Sequence, residues 1–379
     1  MLDAGMVFCY KCGKPFSGLH YYNGEVNLQI QVKRNLFGKR FVELDPDTDE
    51  EIKKTTFVKL DESVMNFTSD INNELTVRVK NSDVESSLLF SRCCPNCVEN
   101  RNEQTQIISS LGLLPTYIIG VMGAPAVGKS CWIHSTSVTK NLIGIRSSNK
   151  GLYRLEPTKV NKESAQIAKT AFGSTGETNV LLITENATKK PVAAVMLMDM
   201  AGEMFAPENR KRFKETAAYC AFQSGMGFDG VDAVLFMDAP DDNGLTDAYN
   251  QVSETKVLTN KPVAYVLNKV DTLFDTPPRV PLSNSDESVP LFTEKTFLTD
   301  PYSPYGKENL IRRISLQTYI ARNYKGLAKK ILLDNENSAG FLIKTCSPVS
   351  QTIVSFADSI NVMDPLLWIL NKLDIFPIQ

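Results

Sequence analysis

Apolar residues from position 116 onwards gather in short runs with few polar residues. Four of these runs cover residues 116–122, 191–198, 231–237 and 261–267. Runs of this length predict strands that are buried on both faces. Each run is well short of the roughly 18 residues that a membrane-spanning helix needs. A fifth run at residues 180–184 precedes the second one closely and predicts a hairpin with it.

Longer stretches with a helical period predict helices between and after these strands. Residues 309–333 form one such stretch, and residues 364–373 form another, with Asp at the cap, Pro in the first turn and an apolar face. A third helix is predicted over Val98–Leu114, and it ends at Pro115.

The N-terminal third has a different pattern, in which apolar and polar residues alternate. Residues 28–32, 40–44 and 75–79 alternate in this way, which predicts strands with one solvent-facing side. The acidic run at residues 45–51 is predicted to be a solvated loop. This part of the chain is therefore expected to be rich in β-structure.

Composition and charge narrow the class of protein. The chain has 379 residues, of which 42% are hydrophobic and 22% charged. This length suggests two domains. The motifs described below divide them into residues 1–112 and 113–379. A formal net charge of −2 argues against bulk nucleic-acid binding. The N-terminal sequence lacks the basic-then-apolar order of a signal peptide, so we expect a cytoplasmic protein without membrane contact.

Four of the eight cysteines form two CxxC pairs, Cys9 with Cys12 and Cys94 with Cys97. Four thiolates match a tetrahedral zinc site, and a reducing compartment favours metal binding over disulfides. Cys93 is an alternative to Cys94 as the third ligand. The two pairs resemble the knuckles of a zinc ribbon, but they lie much further apart than usual, which predicts a β-rich insertion between them.

A phosphate-binding loop follows the first buried run directly. Gly123–Ser130 fits GxxxxGK[ST] at every fixed position. Such a loop directs backbone N–H groups at phosphate oxygens; Gly128 permits close approach, Lys129 neutralises phosphate charge, and Ser130 holds Mg²⁺.

Two further motifs follow buried runs. Asp199–Gly202 fits DxxG, where the carboxylate can hold Mg²⁺ through water and the Gly202 N–H can meet the γ-phosphate. Asn268–Asp271 fits NKxD, whose Asp accepts hydrogen bonds from two donors that guanine presents and adenine does not.

In this order, the three motifs resemble those of the translation-factor-related, Ras-like class of P-loop GTPases over residues 116–376. The resemblance implies a G domain with a mostly parallel sheet flanked by helices, GTP as substrate and Mg²⁺ as cofactor. Together with the zinc ribbon, the chain looks most like the double-GTPase proteins of bacterial conflict systems. The nucleotide-binding positions that the resemblance implies are Gly123, Ala124, Pro125, Ala126, Val127, Gly128, Lys129, Ser130, Cys131, Asn268, Lys269, Asp271, Thr345, Cys346 and Ser347.

The catalytic residues implied by the resemblance are Lys129, Thr178, Gly202 and Glu203, and the Mg²⁺ ligands are Ser130, Thr178 and Asp199. Thr175 is the alternative to Thr178 as the threonine of the first switch. Glu203 stands where many small GTPases have a glutamine, and its charge near the γ-phosphate predicts slow intrinsic hydrolysis.

Pro125 lacks an N–H and so gives no hydrogen bond to phosphate. Cations available to the transition state are Arg154, Arg210, Lys211 and Arg212, although the sequence favours a solvated surface position for each. The thiols of Cys131, Cys220 and Cys346 are expected to be buried.

These features predict a guanine-nucleotide switch that hydrolyses GTP and regulates a protein partner through its switch segments or its zinc module. A GTP-binding scaffold without useful hydrolysis is one alternative. An ATP-driven nucleic-acid enzyme with a zinc finger is another, which NKxD and the absence of a basic excess oppose.

Overall fold

The computed structural model describes the N-terminal part of the chain only in short segments and the remainder more fully. The described N-terminal segments are residues 6–9, 15–17, 21–25, 55–59, 65–69, 75–79, 88–93 and 106–107. From residue 114 onwards the description leaves out residues 139–144, 148–150, 158–163, 167–178, 186, 215–218, 220–223, 226–227, 241–244, 254–257, 259, 276, 278, 282–285, 291–306, 323–336, 351 and 376–379.

The chain divides into two compact units, Leu2–Thr116 and Tyr117–Gln379. The strands described in the first unit are β1 (Met6–Phe8), β2 (Pro15–Ser17), β3 (Tyr21–Glu25), β4 (Thr55–Lys59), β5 (Met65–Ser69), β6 (Leu75–Val79), β7 (Leu88–Cys93) and β8 (Gln106–Ile107). β1 and β2 form an antiparallel hairpin, and the others form a sheet in the order β4-β3-β7-β6-β5, with β8 paired to β7.

The first unit agrees with one sequence prediction and contradicts another. The alternating stretch at residues 75–79 is the strand β6, as predicted, whereas residues 28–32 and 40–44 lie outside the described residues. The helix predicted over Val98–Leu114 is wrong at Gln106–Ile107, which is a strand. These two residues pair with β7, and a cross-strand ladder of this kind overrides the local helical pattern.

The strands described in the second unit are β9 (Thr116–Met122), β10 (Ile145–Ser147), β11 (Gly151–Pro157), β12 (Ser164–Ala165), β13 (Asn179–Glu185), β14 (Pro191–Asp199), β15 (Ser224–Gly225), β16 (Phe228–Asp229), β17 (Ala233–Asp238), β18 (Val263–Leu267), β19 (Arg279–Pro281), β20 (Ser288–Pro290), β21 (Ser338–Leu342), β22 (Ser347–Pro348) and β23 (Val354–Ser355). The α-helices described there are α1 (Lys129–Val138), α2 (Arg210–Phe213), α3 (Leu245–Ser253), α4 (Lys307–Arg322) and α5 (Asp364–Lys372). Short 3₁₀-helices cover Gly202–Phe205, Pro207–Asn209 and Val270–Leu273.

The main sheet of this unit has the order β10-β11-β13-β14-β9-β17-β18-β21. Its strands β9, β17, β18 and β21 are parallel, whereas β10, β11, β13 and β14 form antiparallel neighbours. The α/β class is therefore confirmed, and so is the predicted hairpin of β13 and β14. The sheet itself is mixed, with a parallel half and an antiparallel half.

The core explains why the apolar runs are continuous. Every residue of β17 and β18 is buried, which is the pattern of strands covered on both faces. Helix α5 packs against this sheet, where the Trp368 ring meets Phe341 edge-on at 5.8 Å between centroids. Trp132 of α1 is fully buried, and its indole Nε1 donates to the Val362 carbonyl at 2.7 Å.

Among the helices that the structure describes, none combines the length and the apolar character needed to cross a membrane.

Candidate nucleotide-binding site

The carboxyl ends of the parallel strands bring two of the sequence motifs and the loop that contains Thr345 to one edge of the sheet. The loop Gly123–Ser130 follows β9, Asn268 follows β18, and Thr345 lies three residues after β21. In open parallel sheets this edge is where ligands bind, since the loops there converge on a crevice.

Glycines give the phosphate-binding loop its path. Gly123 has φ +146° and Gly128 has φ +99°, both in the region that favours glycine. A Cβ at Gly123 would lie 2.1 Å from the Met237 carbonyl oxygen, and one at Gly128 would lie 2.2 Å from Asn268 Nδ2. The GxxxxG spacing therefore matches two positions at which a larger residue would collide with β17 or with the NKxD segment.

Lys129 lies folded back over this loop. Its side chain is buried, and Nζ donates to the carbonyl oxygens of Gly123 at 2.9 Å and Ala124 at 2.7 Å. The ammonium is thus held at the start of the loop by oxygen atoms.

Ser130 connects the loop to the DxxG motif. Its Oγ donates to Asp199 Oδ2 at 2.5 Å, and Asp199 is only 3% exposed. A hydroxyl and a carboxylate oxygen at this separation suit Mg²⁺, which prefers oxygen ligands. The residues therefore fit the metal that the motifs imply.

Gly202 lies directly against the phosphate-binding loop. A Cβ there would lie 2.3 Å from the nitrogen of Pro125 and 2.5 Å from the carbonyl carbon of Ala124. Glycine is required because two backbones meet at this point. The next residue, Glu203, is half-buried in the 3₁₀-helix, where its carbonyl accepts from Asn209 Nδ2 at 2.8 Å.

Asn268 ties three segments together. Its Nδ2 donates to the Val127 carbonyl at 2.9 Å and to Thr345 Oγ1 at 3.0 Å, and its Oδ1 accepts from the Thr345 backbone N–H at 3.1 Å. Asn268 is 1% exposed, so these bonds form in a dry environment. Sequence reasoning places Asn268 among the nucleotide-binding residues without showing that it joins the loops.

Asp271 lies at the accessible side of the same cluster. Lys269 adopts a left-handed conformation with φ 57°, and the 3₁₀-helix Val270–Leu273 follows it. The Asp271 carboxylate is one-third exposed and lies 3.8 Å from Lys344 Nζ. Sequence reasoning missed Lys344, and its only signal there is its place directly before the nucleotide-binding positions Thr345, Cys346 and Ser347.

Two thiols meet beside these motifs. Cys131 and Cys346 are half-buried, whereas buried thiols are expected from the sequence, and a hydrogen bond between the two thiols shifts the pKa of each. The bond from Cys131 lowers the pKa of the Cys346 thiol to about 6. The same bond, with burial, raises the pKa of Cys131.

Several predicted residues are not placed here. Thr175, Thr178, Cys12, Cys94, Cys97 and Cys220 lie outside the described residues, and Cys9 is buried. Within the described part of the chain, no group of three or more His, Cys, Asp or Glu side chains could hold a metal ion. Lys211 and Arg212 are exposed on α2, and Arg154 is half-buried in β11, whereas the side chain of Arg210 is not described.

Comparisons with known proteins give weak likenesses. No protein-family model matches the chain, and no curated protein does. One similar solved structure is Era in complex with MgGDPNP and nucleotides 1506–1542 of 16S ribosomal RNA, with 15% identity over 68% of this chain and a TM-score of 0.31. Another is the translation elongation factor SelB from Methanococcus maripaludis in complex with the GTP analogue GppNHp, with 14% identity over 69% of this chain and a TM-score of 0.26. The matches span 57% and 35% of those proteins, and at these TM-scores they carry no functional argument.

Proposed function

We propose that this protein is a cytoplasmic guanine-nucleotide switch that binds GTP with Mg²⁺ and hydrolyses it to GDP and phosphate. The observation that carries the proposal is the Asn268 cluster, which joins the phosphate-binding loop, the NKxD segment and the Thr345 loop through three buried hydrogen bonds. Phosphate-binding and base-binding groups thereby occupy one crevice. The output of the switch is the ordering of residues 170–180 and 200–215 around the γ-phosphate, where a protein partner binds.

Base selection rests on Asp271. Its partly exposed carboxylate can accept hydrogen bonds from the ring N–H and the exocyclic amine of guanine. Lys344 approaches one oxygen of the same carboxylate and so restrains its orientation. Adenine offers no matching pair of donors, so its binding would leave Asp271 unpaired.

Phosphate binding and hydrolysis rest on Lys129 and on the N–H groups of the loop. Lys129 exchanges the neutral carbonyl oxygens of Gly123 and Ala124 for phosphate oxygens, whose negative charge attracts the ammonium more strongly. Water attacks the γ-phosphorus in line with the leaving oxygen, and Gly202 N–H and Lys129 stabilise the charge that develops. Glu203 accepts a hydrogen bond from that water, and its own charge keeps intrinsic turnover slow.

Ser130, Asp199 and Thr178 would hold Mg²⁺, with Asp199 acting through water. When bound, the ion neutralises charge on the β- and γ-phosphates. The Ser130–Asp199 hydrogen bond supports this assignment, because both oxygens already lie together beside the loop.

The N-terminal part of the proposal is a zinc module in residues 1–112, linked to a GTPase domain in residues 113–379, as in the double-GTPase proteins of bacterial conflict systems. Cys9, Cys12, Cys94 and Cys97 hold the ion. The buried Cys9, immediately after β1, supports a structural role. Metal analysis of the purified protein tests it: Cys94→Ser should lose zinc and Cys93→Ser should retain it, and an absence of zinc from the parent protein would overturn it.

The deciding experiment for the nucleotide is a comparison of GTP and ATP binding with Mg²⁺, using the parent protein, Lys129→Ala and Lys190→Ala. Lys190 is exposed in the β13–β14 turn and serves as the matched loss of a lysine. The proposal expects GTP preference in the parent protein, loss of GTP binding and turnover in Lys129→Ala, and parent-like behaviour in Lys190→Ala. Parent-like turnover in Lys129→Ala, or equal binding of ATP and GTP by the parent protein, would contradict the proposal.

A GTP-binding scaffold is the second candidate, and Glu203 is the feature that favours it. A carboxylate at this position lacks the amide N–H with which glutamine donates to the γ-phosphate or the water. Single-turnover hydrolysis of bound GTP separates the two functions. Phosphate release establishes the switch, whereas bound GTP that stays intact over hours with candidate partners establishes the scaffold.

A further inference from the structure

Residues 343–363 connect β21 to α5 by way of a small sheet and a return to α1. Strands β22 and β23 of this connection pair antiparallel, and β23 also pairs with β12. We call residues 356–362, which follow this hairpin, the return segment. The proposed binding and hydrolysis of GTP assign no role to them.

Two side chains of α1 hold the return segment. The His134 ring stacks on the Phe356 ring, with 4.5 Å between the centroids and 27° between the planes. At the other end of the segment, Trp132 Nε1 donates to the Val362 carbonyl at 2.7 Å. Phe356 and Trp132 are buried, and His134 is half-buried. Both ends of the return segment are therefore fixed on the helix that follows the phosphate-binding loop.

The return segment is also tied to the base end of the candidate site. The backbone N–H of Lys344 donates to the Ile360 carbonyl at 3.1 Å, and the Ile360 N–H donates to the Lys344 carbonyl at 2.8 Å. Lys344 Nζ lies 3.8 Å from Asp271 Oδ2, on the carboxylate proposed to select guanine. In the hairpin, Ser347 pairs with Ser355, directly before the return segment.

The return segment thus links the phosphate end of the site to its base end by a path separate from the Asn268 cluster. A nucleotide must reach both ends at once. When one ligand spans two subsites, the second contact is intramolecular, and its contribution depends on how well the spacing of the subsites matches the ligand. A contact that fixes this spacing therefore acts on the affinity for ligands that use both ends.

We propose that His134 and Phe356 are positioning residues, whose ring contact sets the spacing between the phosphate end and the base end of the nucleotide site. The effect on nucleotide rests on the proposed function, whereas the fixing of the return segment on α1 does not. Without the ring contact, the return segment and the Lys344 backbone paired to it are free to shift relative to α1.

The first test measures this contact without nucleotide, by amide hydrogen exchange of the full-length protein with mass-spectrometric detection. Loss of the ring in His134→Ala should raise the exchange rate in peptides that cover residues 343–360 roughly three- to tenfold, the range expected for one aromatic pair. Alanine suits a helix and His134 is half-buried, so this variant should fold. Unchanged exchange in these peptides overturns the proposal.

Three more variants separate the ring contact from general stability. His134→Phe keeps a ring for stacking and should exchange like the parent protein. Phe356→Leu keeps apolar bulk without the ring and should behave like His134→Ala. Tyr249→Ala is the matched control, because it removes a ring 5.7 Å from that of Phe236 elsewhere in the same unit, and residues 343–360 should then exchange as in the parent protein. Equally fast exchange of residues 343–360 in Tyr249→Ala would overturn the assignment to this pair.

The second test measures the ratio of the ATP Kd to the GTP Kd, with Mg²⁺ present. ATP uses the phosphate contacts but leaves Asp271 unpaired, so only GTP depends on the spacing of both ends. His134→Ala should therefore lower the ratio roughly three- to tenfold by weakening GTP alone, and His134→Phe should keep the parent ratio.

A purely structural role of His134 in α1 would weaken GTP and ATP equally, and such a result, or an unchanged ratio, overturns the positioning role. A parent protein that does not prefer GTP overturns the proposed function together with the positioning role. Hydrogen exchange still decides in that case whether the ring contact fixes the return segment.

Discussion

Removal of the Asn268 side chain tests the cluster on which the nucleotide site depends. Asn268→Ala deletes three hydrogen bonds, each contributing about 1 kcal/mol net to stability. The partners left behind belong to Val127 and Thr345, which are 1% and 3% exposed, so water does not readily replace the amide. Unpaired buried groups add to the loss, and we expect the free energy of unfolding to fall by roughly 3–5 kcal/mol.

The chain offers a selective probe for this measurement. Its two tryptophans, Trp132 and Trp368, both lie in the second unit, in α1 and α5. Denaturant unfolding followed by tryptophan fluorescence therefore reports on this unit and not on residues 2–116. The free energy of unfolding is obtained from the transition midpoint and slope.

Asn250→Ala is the matched control for Asn268→Ala. Asn250 is exposed on α3, where alanine is an equally good or better helix residue, so its stability should stay within about 0.5 kcal/mol of the parent protein. A loss below about 1 kcal/mol for Asn268→Ala would refute the reasoning, because it would mean that the three bonds are replaced by water or by rearrangement of the loops.

Four further predictions concern single positions. Gly202→Ala should displace the phosphate-binding loop and abolish GTP binding, measured by titration calorimetry, and parent-like affinity would contradict the close approach seen there. Asp271→Asn should shift preference from guanine to xanthine nucleotides, and Lys344→Ala should weaken guanine binding without that shift; competition binding distinguishes them. Alkylation of Cys346 by iodoacetamide should rise through about pH 6, the pKa of its thiol, and level off above about pH 7. Peptide mapping of the alkylated protein measures this, and a rate still rising at about pH 9 would contradict it.

The parts of this fold that sequence predicts are those specified by neighbouring residues. The buried interiors of β9, β14, β17 and β18 can be recognised in the sequence, because charged residues stand only at the ends of these strands. The α/β class and the β13–β14 hairpin follow from such local patterns. Gly123 and Gly128 can also be predicted from the sequence, since a positive φ and a close contact with a neighbouring residue both require glycine.

The parts that sequence does not predict depend on partners distant in the chain. The strand at Gln106–Ile107 exists because it pairs with β7, and its own residues give a helical pattern. The Lys344–Asp271 ion pair likewise arises only when β18 and β21 lie side by side. The spacing of residues in the sequence does not indicate such contacts. The entropic cost of closing a loop grows only slowly with its length, so residues far apart in the chain can meet almost as readily as nearer ones.

The polar groups assigned to nucleotide binding already make hydrogen bonds within the protein. A ligand must therefore form stronger interactions with them than the protein does. Lys129 is bonded to two loop carbonyls, and Ser130 is bonded to Asp199. A bound nucleotide therefore replaces these hydrogen bonds and does not add bonds to unpaired groups. The net free energy of binding is then the difference between phosphate and carbonyl oxygens as partners of Lys129. The Lys129 ammonium already makes charge-assisted bonds to neutral carbonyls, so that difference comes from the added Coulomb attraction between the ammonium and the negative phosphate. Guanosine alone should bind far more weakly than GDP, although Asp271 could recognise both through the same base.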